Sequence, residues 1–253
     1  MWMPLRVRAS APPRPWWSVL GAFASWLRLP LGEYDLAHLA WEIERKDLGM
    51  AGGKQDQYAA TFGGFNFMEF SAGDKVIVNP LRIKQDFLNE LEFNILLYYT
   101  GTSRLSSSII ETQARNIVEK DPKGLDATDK LKEQATMMKE AILKGRFDEI
   151  GEILGYGWKY KKEMANGITN PLIDEIYETA IRAGASGGKI SGAGGGGFMM
   201  FYCPRNSRYN VIKSLQRFGG EFRLGQTFQP TCRQQTLGAT SKPDDPTGEG
   251  WGS

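Results

Sequence analysis

Gly187-Gly-Lys-Ile-Ser-Gly-Ala-Gly-Gly-Gly-Gly197 runs directly into Phe198-Met-Met-Phe-Tyr202. Seven glycines in eleven residues cost more backbone entropy on folding than a simple turn needs. Gly192, Gly194 and Gly197 satisfy the pattern G-x-G-x-x-G, but that fingerprint requires a helix after it. The residues that follow have the apolar composition of a buried strand. A Walker loop fails too: the spacing from Gly184 to Lys189 is wrong, and Ile190 stands where Ser or Thr belongs. Two readings remain. The loop either approaches a ligand closely and turns backbone N–H groups toward an anion, or is a tight turn packed against another backbone. On the first reading Gly192, Ala193 and Gly194 bind substrate.

Two constellations lie upstream. Thr100-Gly-Thr-Ser-Arg104 ends a predicted strand and opens a helix. Hydroxyls, backbone N–H groups and a guanidinium at a helix N-terminus suit a phosphate, so Thr100, Gly101 and Arg104 are candidate substrate contacts; plain helix capping is the alternative. Gly52-Gly-Lys-Gln-Asp-Gln-Tyr58 places Asp56 after a flexible pair and beside Lys54 and Gln55, which are candidate substrate contacts. A carboxylate near a cation stays ionised and can accept a proton from a hydroxyl; a helix cap or a solvated loop acid is the competing reading. Glu44, one helix earlier, can face the same cleft, although such an acid is more often a solvated helix-face residue. His38 reads as a capping or packing residue and Cys203 as a buried thiol.

The rest of the chain narrows the classes. Lys and Arg number 31 against 29 Asp and Glu, a net charge of +2, which argues against a dedicated nucleic-acid binder. Hydrophobic residues make up 41% and charged residues 24% of 253, enough for a real core. Two cysteines and one histidine exclude a disulfide framework, a cysteine zinc site and a two-histidine metal site. Residues 1–32 carry four Arg and no acid. Arg6, Arg8 and Arg14 before the apolar run Trp16 to Leu27, with Ala22-Phe23-Ala24, outline a signal peptide. The other reading is an ordinary helix through Val19, Leu20, Phe23 and Leu27. The run is too short to span a bilayer. Asp35 is a candidate cap for a helix through Leu36, Leu39, Ala40 and Ile43. Strands are predicted at Phe65–Phe70, at Val76–Val78, through Phe93, Ile95, Leu97 and Tyr99, and at Phe198–Tyr202. Helices are predicted through Leu105–Ile117, Leu131–Ile142 and Ile150–Trp158, and from Asn170-Pro171 to Gly184. The mixture is α+β in two parts. The end of the chain, rich in Gly, Pro, Thr and Gln, reads as a disordered tail over 226–253.

The order of these pieces is informative: a helix with Glu44-Arg45, then Gly-Gly-x-x-Asp, then Thr-Gly-x-x-Arg, then Lys189-Ile-Ser-Gly-Ala-Gly-Gly-Gly-Gly197. It resembles the GHMP kinase superfamily of small-molecule kinases over roughly residues 19–218. The run Ala51-Gly-Gly-Lys-Gln-Asp-Gln-Tyr-Ala-Ala-Thr-Phe-Gly-Gly64 is most like the bacterial heptose 7-phosphate kinases within it. The resemblance implies a truncated N-terminal α/β, ATP-binding domain over 1–90 and a C-terminal ferredoxin-like domain over 91–225. It also implies a cytoplasmic enzyme of lipopolysaccharide sugar metabolism. That enzyme moves a phosphoryl group from ATP, with Mg2+, to the anomeric hydroxyl of a heptose 7-phosphate. Asp56 matches the family's catalytic aspartate, which takes the hydroxyl proton, and Glu44 the glutamate that helps hold magnesium. The implied partners are ATP and the sugar phosphate, with no nucleic acid and no membrane. A non-catalytic remnant and a fucokinase or galactokinase are the alternatives.

The chain departs from the family in two places. The Pro-x-x-x-Gly-Leu-Gly-Ser-Ser phosphate loop is replaced by Ala11-Pro-Pro-Arg-Pro-Trp-Trp-Ser18, and the closing strands expected after Phe222 by Gly, Thr, Gln and Pro. Both ends read like another frame of the gene, and turnover is expected to be low without the loop's phosphate donors.

Overall fold

The computed structural model describes residues 16–101, 106–119 and 121–224. Helix α1 (Trp16–Trp26) packs on α2 (Glu33–Glu42) and α3 (Gln55–Phe62), and a π-helical turn over Ile43–Asp47 continues α2. Asp35 does cap α2, but from inside its first turn: its carboxylate accepts the Gly32 N–H at 2.9 Å. Strands β1 (Asn66–Phe70) and β2 (Val76–Pro80) form an antiparallel hairpin. A small core of Ala37, Tyr58 and Val78, with Phe62, Met68 and Val76 against it, joins hairpin to helices. The Tyr34 hydroxyl, which accepts the Val78 N–H at 3.0 Å, ties the same pieces together.

Helix α4 (Gln85–Asn94) carries the chain across the expected boundary at 90/91. It takes in Phe93, which the alternation had placed in the following strand; Phe93 is 59% exposed, so nothing holds it in a sheet. After β3 (Ile95–Tyr99) come α5 (Ser106–Val118), α6 (Pro122–Lys144), α7 (Asp148–Glu163) and α8 (Pro171–Arg182). Next are β4 (Gly187–Ile190), β5 (Phe198–Tyr202), α9 (Ser207–Leu215), a 3-10 turn over Gln216–Phe218, and β6 (Glu221–Leu224). The four strands make one antiparallel sheet in the order β4-β5-β3-β6. The register pairs Leu97 with Met200 and Tyr98 with both Met199 and Phe222.

The apolar runs of β3 and β5 are continuous rather than alternating because both faces of the sheet are covered. Leu96, Tyr98, Met199 and Phe201 meet Ile173, Ile176, Val211 and Leu215 of α8 and α9. Ile95, Leu97, Met200 and Tyr202 meet Met138, Ile142, Ile150 and Leu154 of α6 and α7. Phe65, just before the hairpin, enters this second cluster, and the Lys139 ammonium lies 4.3 Å from the centre of the Phe67 ring. These contacts fix the hairpin against the larger sheet.

Helix α8 begins where the sequence places it. The Asn170 side chain accepts the Ile173 N–H at 3.0 Å with Pro171 at the first helical position. Asn170→Ala should cost about 1 kcal/mol in urea unfolding; an unchanged midpoint would show that the cap contributes nothing.

Among the described residues no helix is long and apolar enough to cross a membrane. The N-terminal apolar run is helical from Trp16, and Ala24 is buried; residues Arg6, Arg8 and Arg14 of the signal-peptide reading lie outside the described residues, as does the tail after 224. His38 packs its ring 5.3 Å from that of Trp41. Cys203 is buried, and burial pushes its thiol up to about 12.

Candidate active site

The candidate residues fall into two groups. The first is built around Arg45. The π-helical turn swings the Glu44-Arg45 pair out of the α2 register, a distortion often found at functional positions. The Arg45 guanidinium donates to three carbonyls of the following loop: from Nε to Gly53 O at 3.1 Å, and from Nη1 to Ala51 O at 3.0 Å and Met50 O at 3.4 Å. Gly52 sits at φ +146, and a Cβ there would fall 2.7 Å from the guanidinium carbon. The loop is therefore wrapped on the arginine, and a side chain at 52 would break the clamp. Gly52→Ala should lower stability by about 1–3 kcal/mol, the range for a non-glycine residue forced into such backbone. Denaturant titration reads this directly, and a loss below about 0.5 kcal/mol would mean the loop rearranges freely.

This clamp sets the start of α3. Gln55 and Asp56 open the helix, whose dipole favours a carboxylate there. Asp56 is an exposed residue, yet surrounding chain desolvates it enough to push its carboxyl above the ordinary range, with the Arg45 charge pulling the other way. Glu44 Oε2 accepts from Gln57 Nε2 at 2.6 Å and lies 3.6 Å from Arg45 Nη2. Lys54 turns away from Asp56: it pairs with Asp74 in the hairpin turn and lies 4.5 Å from the centre of the Trp41 ring. The expectation that Lys54 keeps Asp56 ionised is thus corrected. Arg45 is the charge that acts on Asp56.

The second group is the glycine run, which divides in two. Gly187–Ile190 is strand β4, not loop. Gly187 and Gly188 have no unusual φ; they are small because backbone and rings press on them. Residues 191–197 are the true loop, with Gly192, Gly194, Gly195, Gly196 and Gly197 all at positive φ. Four anchors hold it. The buried Lys161 of α7 donates to Gly192 O, and Gln113 Nε2 to Ala193 O at 3.4 Å. The Gly195 N–H donates to Ile168 O at 2.8 Å, where Gly194 is pressed so close that a Cβ would fall 2.7 Å from Ile168 Cα. Thr100 exchanges backbone and hydroxyl bonds with Gly197 at 2.9–3.1 Å. Thr100 therefore ties β3 to the loop, and Gly101 (φ +71) turns the chain away behind it. Arg104 lies outside the described residues. Burial brings Lys189 down to about 8; burial, then the Lys189 charge, holds Lys161 well below the usual lysine range.

Arg45, Gln57, Asp74 and Lys161 contact members of these two groups without having been singled out as ligand-binding residues. The Glu-Arg step before Gly-Gly was a usable signal for Arg45. Asp74 and Lys161 meet their partners across 20 and 31 residues and carried no local signal.

The GHMP kinases N terminal domain matches residues 17–64 and the GHMP kinases C terminal domain residues 138–221, together just over half of the chain. The chain belongs to the GHMP kinase family. Over 202 residues it is 49% identical to a D-glycero-alpha-D-manno-heptose 7-phosphate kinase of Campylobacter jejuni, covering 80% of this chain and 59% of that protein. A D-glycero-D-manno-heptose 1-phosphate kinase structure from Bacteroides thetaiotaomicron superposes with a TM-score of 0.62 at 41% identity, over 82% of this chain and 56% of that one. A Lactococcus lactis galactokinase shares the fold alone, with a TM-score of 0.63 at 15% identity, over 85% and 64%. The chain thus spans less than two thirds of the relatives it matches.

Proposed function

We propose that the chain is, or is part of, a cytoplasmic sugar kinase that moves the terminal phosphoryl group of ATP to the anomeric hydroxyl of a heptose 7-phosphate, in the supply of sugars for surface lipopolysaccharide. The observation that carries this reading is the Arg45 clamp, which sets Asp56 at the start of α3 and Glu44 beside it. The identity to the Campylobacter heptose kinase supports the choice of sugar.

Asp56 takes the proton from the attacking hydroxyl, which is its role as general base. Burial lifts its carboxyl above the ordinary range, which brings its basicity nearer to working pH. The donor set fits magnesium. Gln57 Oε1 is buried without a hydrogen-bond partner beside the Glu44 carboxylate, and magnesium takes few protein oxygens when phosphates complete its shell. Glu44 and Gln57 would hold it; when bound it neutralises charge on the ATP phosphates. Lys161, Gln113 and Thr100 hold the loop at Gly192–Gly197 through its carbonyls and the Gly197 N–H. The Gly192–Gly194 segment then meets substrate oxygens.

Calorimetric titration with ATP·Mg, then with heptose 7-phosphate, tests the reading. Saturable binding of both is the expected result. Sugar binding without nucleotide binding would make the chain a sugar-phosphate binder, and absence of both would remove the proposal.

A further inference from the structure

At the far end of α8 from the glycine loop, a surface pocket opens between α8 and α9. Thr179, Arg182, Ala183, Lys213, Ser214 and Arg217 line it, around about 400 Å³. The helix has 12 residues, about 18 Å, so this pocket is separate from the active site. We propose that it binds a small anion bearing one or two phosphate groups.

The charge arrangement carries the argument. Thr179 Oγ1 accepts from Arg182 Nη2 at 3.2 Å and from Arg217 Nη2 at 3.1 Å. Two guanidinium groups therefore converge on one oxygen, where they repel each other. Lys213 adds a third cation to the same lining. Against these stands one carboxylate, Glu175, 3.2 Å from Arg217. Among the described residues neither Arg182 nor Lys213 has a carboxylate in ion-pair range. Cations in the last turns of α8 and α9 balance the helix dipoles, which accounts for one charge on each helix. It does not account for Arg217, nor for the convergence on Thr179. A phosphate seated between the guanidinium groups relieves the repulsion and uses their planar donors, and the Ser214 hydroxyl supplies a further donor. The volume is in the range of small-ligand pockets. A concave site whose floor is a nearly buried threonine (7% exposed) suits a compact anion better than an extended acidic chain.

Inorganic pyrophosphate is the probe, titrated calorimetrically into the full chain at low and at physiological salt. One saturable site is expected, weakening as salt rises. Lys213→Gln and Arg182→Gln should each weaken it about 10-fold, as for a lost charged hydrogen bond, while Asp56→Asn leaves it unchanged. Lys213 makes no hydrogen bond or ion pair among the described residues, so a loss in Lys213→Gln does not come from unfolding. No saturable binding, or binding indifferent to both substitutions, overturns the proposal. So does binding of an acidic peptide but not of pyrophosphate, which would assign the pocket to a polypeptide. Failure of ATP·Mg to bind would remove the kinase reading and leave this one standing.

Discussion

Gly187→Ala is expected to destabilise the fold by about 3 kcal/mol or more, although it adds a single methyl group. A Cβ at this position would fall 1.8 Å from Gly151 O and 2.5 Å from the Gly151 carbonyl carbon. All three of its nearest atoms are Gly151 backbone, the third being Gly151 Cα at 3.2 Å. Gly187 of strand β4 thus meets helix α7 backbone to backbone, and Gly151 has no side chain to move aside. Relief requires α7 to lift from the sheet, which pulls Ile150, Ile153 and Leu154 off Met200 and Tyr202. Against a total stability typically of 5–15 kcal/mol, such a loss shows as a large fall in the urea midpoint. Gly21→Ala is the control. It lies within α1, with no atom within 4 Å of the added Cβ, and should gain up to about 1 kcal/mol from helix propensity. Equal shifts in the two variants would mean that the α7–β4 contact is not tight.

That contact also shows where the sequence was readable. The density of glycine at 187–197 announced close approach, and the packing reading holds for Gly187 and Gly188, which press against backbone and rings, while Gly192–Gly197 form a loop at positive φ apart from Ala193. Composition cannot separate them, because a glycine needed for space and one needed for positive φ look alike. The β3 and β5 strands, the long helices and the Asn170 cap were legible because their signals are local or periodic. Helix α4 was not; its apolar residues merge into the β3 run, and the turn between them is absorbed by the sequence Phe93-Asn94-Ile95. The pairing of Lys54 was misread for a related reason. Lys54 lies two residues from Asp56, but adjacency along a chain does not fix direction, and the hairpin turn brings Asp74 to it.

Asp56→Asn should reduce phosphoryl transfer to heptose 7-phosphate by roughly 100-fold or more, the contribution of a positioned general base. The amide keeps the shape and the helix-start position but cannot take a proton. Sugar binding should stay within about threefold, since a neutral isostere leaves the Arg45 clamp and the glycine loop untouched. The pH dependence carries an independent sign. Burial raises the Asp56 carboxyl above 3.8, so the ionised base is lost as pH falls through that raised value, and the acid limb of kcat lies above the ordinary aspartate range. The same shift bears on stability. A carboxyl with a raised folded-state pKa binds its proton more tightly when folded, so its charge opposes folding once pH exceeds the unfolded value. Asp56→Asn is therefore expected to keep or raise the melting temperature at pH 7, even as turnover disappears. Single-turnover transfer from labelled ATP, followed with thermal melts of both proteins, separates the cases. A variant that keeps more than about a tenth of the wild-type rate would strip Asp56 of the proton-accepting role. One that loses rate only in proportion to lost stability would make it a structural residue of the α3 start.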